Sequence, residues 1–239
     1  MKPLEDYSDE RLRVRCIHCS VFLEACEANE DHVPSKCLLD RPLPDNPPKV
    51  TVCAECNSSF APDEEYLSVF LAAVLTGDAM PDAVRFPKAA AAVRRNPKLL
   101  ALIARTRQEQ LTLFGEPDIL WVPNVQRVER VIVKNARGHV LHELGEDTIA
   151  PPKSVAFLPV TRLSPDQRTE FEHVDYGPGW PEVNSRLMQR LVGVEPLKEG
   201  WIEVQPDVYR YAVMHSGDKV TVRTLIRDYL ATEVIWALD

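Results

Sequence analysis

Apolar and polar positions follow different rhythms in successive parts of this chain. From Pro62 to Gly77, three carboxylates (Asp63, Glu64, Glu65) precede Tyr66, Leu67, Phe70, Leu71, Val74 and Leu75, which recur at helical spacing. The pattern predicts a helix over 62–77, with acids at the positive end of its dipole and Gly77 as its stop. Ala, Leu and Arg content predicts further helices over 86–95 and 98–113, divided at Asn96-Pro97. Residues 125–144 place Val125, Val128, Val131, Ile132, Ala136, Val140, Leu141 and Leu144 on or near one helical face, against which Gly138 is a mild objection. Pro151-Pro152 opens an extended, turn-rich stretch through Pro181, followed by a short helix over 184–192. Strand-like runs then cover 201–204, 208–214, 219–226 and 229–238, with Ser216-Gly217-Asp218 as a ready hairpin turn.

These rhythms predict an α+β protein in three regions: a cysteine-rich head over 1–80, a helical segment over 81–149 and a β-rich antiparallel region over 150–239. With 239 residues, 45% hydrophobic and 27% charged, the composition is that of a globular protein. The longest apolar run, Val69 to Leu75, is far short of the roughly 18 residues a membrane span needs, so no membrane partner is expected. Met1 to Glu10 lacks the basic-then-apolar pattern of a secretory signal, and a cytoplasmic location is the expectation.

All six cysteines (Cys16, Cys19, Cys26, Cys37, Cys53, Cys56) lie in the first quarter of the chain. Without a secreted context, clustered cysteines point to metal before disulfides. Cys16-x-x-Cys19 and Cys53-x-x-Cys56 are two knuckles separated by 33 residues, and together they supply the four thiolates of a tetrahedral zinc ion. A closed shell of this kind is structural and fastens a module whose own core is thin. Redox chemistry is the weaker rival, because thioredoxin-like knuckles come singly. Cys26 and Cys37 have no partner spacing and are assigned to packing, and His18 is read as a polar neighbour of the first knuckle.

Between the knuckles lies Asp31-His32-Val33-Pro34, and Asn57 directly follows the second. Phosphodiester hydrolysis needs an activated water and shielded phosphate charge. A histidine with a pKa of about 6.5 can take the water's proton near neutral pH. A carboxylate and an amide oxygen suit a hard ion such as Mg²⁺ or Mn²⁺. Asp31 and His32, adjacent on an extended strand, would face opposite sides, which separates the two jobs. The run from Cys16-x-x-Cys19 through Asp31-His32-Val33-Pro34 and Asn46 to Cys53-x-x-Cys56-Asn57 resembles the HNH endonuclease family with its ββα-metal fold. "DHVPSK", "CAECN" and "DEEY" are particularly similar to small bacterial HNH proteins, and the likeness covers about residues 14–77. It implies His32 as general base, Asp31 and Asn57 as ligands of a catalytic Mg²⁺ or Mn²⁺, and Asn46 as a loop-shaping residue. Asn57 stands where many relatives have His, and Ser58-Ser59-Phe60 lacks the basic residue often found there.

The expected function is thus a metal-dependent endonuclease acting on DNA, with bacterial defence as a family-level expectation. A non-catalytic zinc-binding adaptor is the alternative, and an RNA-targeting toxin would share the same chemistry. Net charge is -8, yet residues 85–137 hold 11 basic and 4 acidic side chains, so a nucleic acid could lie along this stretch. Arg94, Arg95, Lys98, Arg105 and Arg107 are one candidate track; Arg127, Arg130, Lys134 and Arg137 form a second basic series. A protein partner that directs substrate choice is expected for an acidic chain, and a homo-oligomer is left open. His139 and His142 are read as structural, and Trp121, Trp180, Trp201 and Trp236 as core or interface.

Overall fold

The structure, a computed structural model, describes residues 4, 13–111, 115–177, 181, 185–195 and 197–237. It is a mixed α+β protein whose sheets are all antiparallel. The chain packs as two units, one formed by Met1–Ser59 with Ile132–Asp239 and the other by Phe60–Val131.

The first unit begins with a hairpin of β1 (Ala28–His32) and β2 (Lys49–Cys53), paired from Ala28↔Cys53 to His32↔Lys49. Helix α1 (Ala54–Thr76) starts directly after β2. It begins eight residues before the expected Pro62, which lies inside the helix instead. The reading from apolar spacing missed this first stretch because Ser58 and Ser59 carry no apolar signal. Their hydroxyls bond back to the carbonyls of Glu55 and Cys56.

The C-terminal region supplies a five-stranded sheet in the order β5-β9-β8-β7-β6. Its strands are β5 (Ser154–Pro159), β6 (Ile202–Gln205), β7 (Tyr209–Ser216), β8 (Lys219–Ile226) and β9 (Leu230–Ala237). The last four match the predicted strands to within a few residues. β5 and the helix α5 (Pro165–Glu172) both fall in the stretch read as extended and turn-rich. α5 announces itself only through a capping box between Ser164 and Gln167. The short helix expected over 184–192 is α6 (Arg186–Leu191); Asn184 and Trp180 lie outside the described residues.

Helix α4 (Val125–Leu144) has the predicted bounds. Its part from Ile132 onward joins the hairpin to the sheet. On one side, Leu141 shares a core with Cys16, Ile17, Val33, Val50, Val52 and Cys53. On the other, the His139 ring stacks on Tyr211 with centroids 3.7 Å apart, and its Nε2 lies 2.9 Å from the Tyr209 hydroxyl. Glu143, fully buried, accepts from the Tyr211 hydroxyl at 2.5 Å and from Arg190 Nε at 2.8 Å. A buried carboxylate is costly unless neutralised and fully bonded, and Arg190 with Tyr211 meets both needs.

In the second unit, α2 (Pro87–Arg95) and α3 (Pro97–Ala104) are divided at Asn96, whose side chain caps α3 by accepting from the Leu99 amide. The helix expected to run to 113 stops at Ala104. Residues 107–111 instead form β3 (Arg107–Leu111), paired with β4 (Pro117–Trp121); residues 112 and 113 lie outside the described residues. Charge and glutamine in 105–110 suit a solvated helix and an exposed strand equally, and the β-forming Ile119-Leu120-Trp121 across the hairpin decides for strand.

Candidate metal centre and histidine face

The two knuckles arise from different local structures. Around the first, Arg15 bridges Phe22, the Cys16 amide donates to the Val21 carbonyl, and the Ser20 amide donates back to the Cys16 carbonyl. Ser20 closes this turn with φ at 65°. The second knuckle is the junction of β2 with α1, where the Cys56 amide donates to Cys53 Sγ at 3.3 Å. The Sγ atoms of Cys16, Cys19, Cys53 and Cys56 all lie within 4.8 Å of one another. Those of Cys19 and Cys53 are 3.6 Å apart. Four sulfurs about 2.3 Å from one tetrahedral zinc stand about 3.8 Å apart, so the cluster fits a structural zinc ion.

The thiol electrostatics favour a cation too. Burial, followed by neighbouring thiols, pushes Cys56 well above the ordinary thiol value, and burial also raises Cys53. Cys16 goes the other way: against burial, backbone hydrogen bonds at Cys53, His18 and Cys19 hold it below the ordinary value. Thiolates crowded this closely become mutually compatible when a divalent ion neutralises them. Cys26 packs against the core beside the knuckles, with Sγ 3.7 Å from the Leu23 carbonyl, and neither it nor Cys37 or His18 belongs to the cluster.

The hairpin register places Asn29 and Asp31 on one face with Val50 and Val52, and Glu30 and His32 on the other with Lys49 and Thr51. On the second face Lys49 Nζ donates to Glu30 at 2.8 Å. Burial first, and then the cations of Lys36 and Lys49, hold the half-buried His32 imidazole below its usual value against the opposing pull of Glu30. A proton is therefore held less readily there than on a free imidazole.

On the first face the two expected ligands have different partners. Asp31 is 7% exposed, and its two carboxylate oxygens lie 2.9 Å from Lys134 Nζ. The same ammonium donates to Ser35 Oγ at 2.9 Å and approaches the His32 carbonyl at 3.5 Å. Asn135 Oδ1 accepts from both the amide and the hydroxyl of Ser35. Asn57, in the first turn of α1, turns its Nδ2 to Asn29 Oδ1 at 2.7 Å. A hard divalent ion needs oxygens at about 2.1 Å in near-octahedral array. A carboxylate closed over by an ammonium does not offer such an ion an open oxygen, so Asp31 does not fit it as arranged. Asn46 is exposed, in the loop before β2, with φ at 51°, a left-handed conformation that Asn tolerates better than most residues.

The two basic series have different fates. In the second unit, Arg127 and Arg130 both bind Asp63 at 2.6 Å, and they lie over the rings of Tyr66 and Phe60. In the first, Lys134 is taken by Asp31, and Arg137 donates to the carbonyls of Ile149 and Ala150. This series holds the fold together. Arg94, Arg95, Lys98, Arg105 and Arg107 are all exposed on or beside α2, α3 and β3, as are Arg85 and Lys88, although Arg95 lies 3.5 Å from Glu65 and Arg107 2.7 Å from Glu109. Residues 85–107 contain seven basic side chains and no acidic one.

Sequence reasoning missed Asn29, Ser35, Lys36, Lys49 and Asn135 as neighbours of the site, and took Lys134 for a surface cation. The available signal was Lys134-Asn135 interrupting the apolar stripe of α4 beside Val131, Ile132 and Ala136. His139 is buried in the sheet core, and His142 Nδ1 lies 3.4 Å from the Lys49 carbonyl. Trp201 and Trp236 are core, and Trp121 is partly buried on β4. Among the described residues no helix is long and apolar enough to cross a membrane. No protein-family model matches the chain, and neither a curated protein nor a solved structure is significantly similar to it.

Proposed function

We propose that this chain is an HNH-type endonuclease that hydrolyses phosphodiester bonds of nucleic acid, DNA foremost, with His32 as general base. The observation that carries the reading is the half-buried His32 imidazole on a zinc-fitting β1–β2–α1 module, on the same hairpin face as Lys49 and Glu30. The imidazole takes the proton of a water as its oxygen attacks phosphorus, the P–O bond to the leaving sugar oxygen breaks, and that oxygen takes a proton from solvent. Lys36 and Lys49 lower the imidazole's proton affinity and, with substrate in place, offset phosphate charge. The four-cysteine shell has no open position, so its zinc holds the module together and takes no part in the reaction. The divalent ion implied by the HNH likeness is not supported at Asp31, which Lys134 closes, and the proton transfer assigned to His32 does not require it.

The second unit offers a nucleic-acid surface of its own in the acid-free stretch around α2 and α3. Arg94, Arg95, Lys98, Arg105 and Arg107 present exposed cations suited to a phosphate backbone, which positions a nucleic acid without reading its sequence. A protein partner would then choose the target, and a role in bacterial defence is consistent with such delegation. The second reading is a non-catalytic zinc-binding adaptor. It is favoured by one observation, the closure of Asp31 by Lys134.

The test uses the zinc-loaded wild-type chain and His32→Ala with supercoiled plasmid and single-stranded RNA, each with Mg²⁺, with Mn²⁺ and with neither. Cutting by the wild type that disappears in a folded, zinc-bearing His32→Ala variant is the expected result. Equal cutting by both proteins would sink the role of His32. Binding without cutting in every condition would establish the adaptor.

A further inference from the structure

We infer that Lys134 is the resident cation of the candidate site, filling at Asp31 the place that the HNH likeness gives to a divalent metal ion. The Lys134 side chain is 0% exposed and that of Asp31 8%. Charges this deep persist only when paired and hydrogen-bonded. An ammonium has three protons to donate. Here it has Asp31 at 2.9 Å, Ser35 Oγ at 2.9 Å and the His32 carbonyl at 3.5 Å as acceptors. The cradle is itself held in place, because Asn135 fixes Ser35 from the next position on α4. Lys134 and Asn135 thus grip the end of β1 and the loop after it from a single turn of helix.

A tethered ammonium differs from a metal ion in three ways. It carries one charge, it brings no coordinated water, and it cannot be removed by a chelator. It also spans Asp31 and the His32 backbone, so it fixes the strand end from which the His32 imidazole projects. The site is then permanently supplied with a cation from its own chain. Removing that charge leaves a buried carboxylate that needs another cation. Lys134 holds this place whether or not the chain cuts nucleic acid, and the role is read from cation binding and stability alone.

The test titrates Mn²⁺ into the zinc-saturated full chain and into Asp31→Asn, followed by calorimetry and by thermal unfolding. The expected result is the same isotherm for both, because no Mn²⁺ site depends on Asp31 while Lys134 is present. A site present in the wild type and lost in Asp31→Asn would overturn the inference. Lys134→Met supplies the converse measurement. Millimolar Mn²⁺ should raise its Tm by several degrees and leave the wild type and Lys134→Met/Asp31→Asn unmoved. A folded Lys134→Met that gains nothing from Mn²⁺ would refute the assignment. Should Lys134→Met fail to fold, recovery of folding in Lys134→Met/Asp31→Asn would support the pairing, and failure of the double variant would overturn it.

Discussion

Replacing Gly138 by alanine tests how closely α4 approaches the strand that carries the candidate site. Two opposing effects set the outcome. Alanine is about 1 kcal/mol better than glycine inside a helix, so propensity alone predicts a gain. Yet a Cβ at this position would stand 2.5 Å from Val33 Cγ2 and 2.9 Å from Val33 Cγ1. Val33 is fully buried, and its branched side chain has little rotamer freedom with which to yield. Overpacking of this kind costs about 1–3 kcal/mol. The clash wins or breaks even, and Gly138→Ala should lose about 1 kcal/mol in urea unfolding with an unchanged m-value. Val33→Ala alone should cost about 2 kcal/mol, from two methyl groups removed from a closed core. In the double variant the new methyl of residue 138 enters the space those groups leave, since the remaining Val33 Cβ is 3.3 Å away. The two changes should therefore couple favourably by more than about 1 kcal/mol. A stabilised Gly138→Ala, or simple additivity in the double variant, would show that α4 does not approach Val33 this closely.

Zinc content of about one ion per chain, measured by elemental analysis, should vanish in Cys53→Ser/Cys56→Ser. Structural zinc contributes about 10–16 kcal/mol of folding free energy in small modules, so the β1–β2 module should lose its amide protection as well. Acid should weaken the first unit before the carboxylates titrate. Burial, together with Arg186 and Arg190, pulls His142 down to about 4 against the counteracting Glu143. The unfolded chain binds this proton near pH 6.5 and the folded chain only near 4. Stability from this group is complete above pH 6.5 and falls as pH drops through that window. The loss between pH 7 and pH 5 is about 2 kcal/mol, and His142→Gln should remove it from the urea midpoints. Charge reversal of Arg94 and Arg95 to Glu should weaken nucleic-acid binding at low salt. It should also reduce the salt slope by about one unit for each phosphate no longer neutralised, which fluorescence anisotropy across a salt series would read; an unchanged slope would place the phosphate elsewhere.

Much of the fold was written locally. α4 could be read to the residue because Val128, Val131, Ile132, Ala136, Val140 and Leu141 keep one period through the whole helix. The strands from Ile202 to Ala237 were legible because turn residues punctuate them. What failed was what depends on distant partners. β3 takes its form from β4 across the hairpin, and its residues Arg107–Leu111 are exposed throughout, so no buried face marks them. β5 joins β9, some 75 residues later, and its proline-rich surroundings concealed it. The start of α1 was hidden differently, since Ala54 to Ser59 serve the zinc cluster and the first helical turns at once.

The site divides along the same line. The cysteine cluster was legible because its ligands come in pairs with two residues between them, and only one long-range meeting of the pairs had to be inferred. Asp31 was legible as a residue whose charge must be answered, but not by what. A carboxylate beside a histidine invites a metal when only its own segment is in view, and the chain answers it from 103 residues away through Lys134. The cue was a lysine and an asparagine in the apolar stripe of a helix, positions where solvent could not serve them. A charged residue at a core position of an amphipathic helix implies an opposite charge buried on whatever packs there. Applied to α4, that rule pairs Lys134 with one of the acids of the cysteine-rich head, among them Asp31. Each member of the basic series on α4 has a partner within the protein. Lys134 answers Asp31 in the interior, Arg127 and Arg130 answer Asp63, and Arg137 bonds to backbone carbonyls.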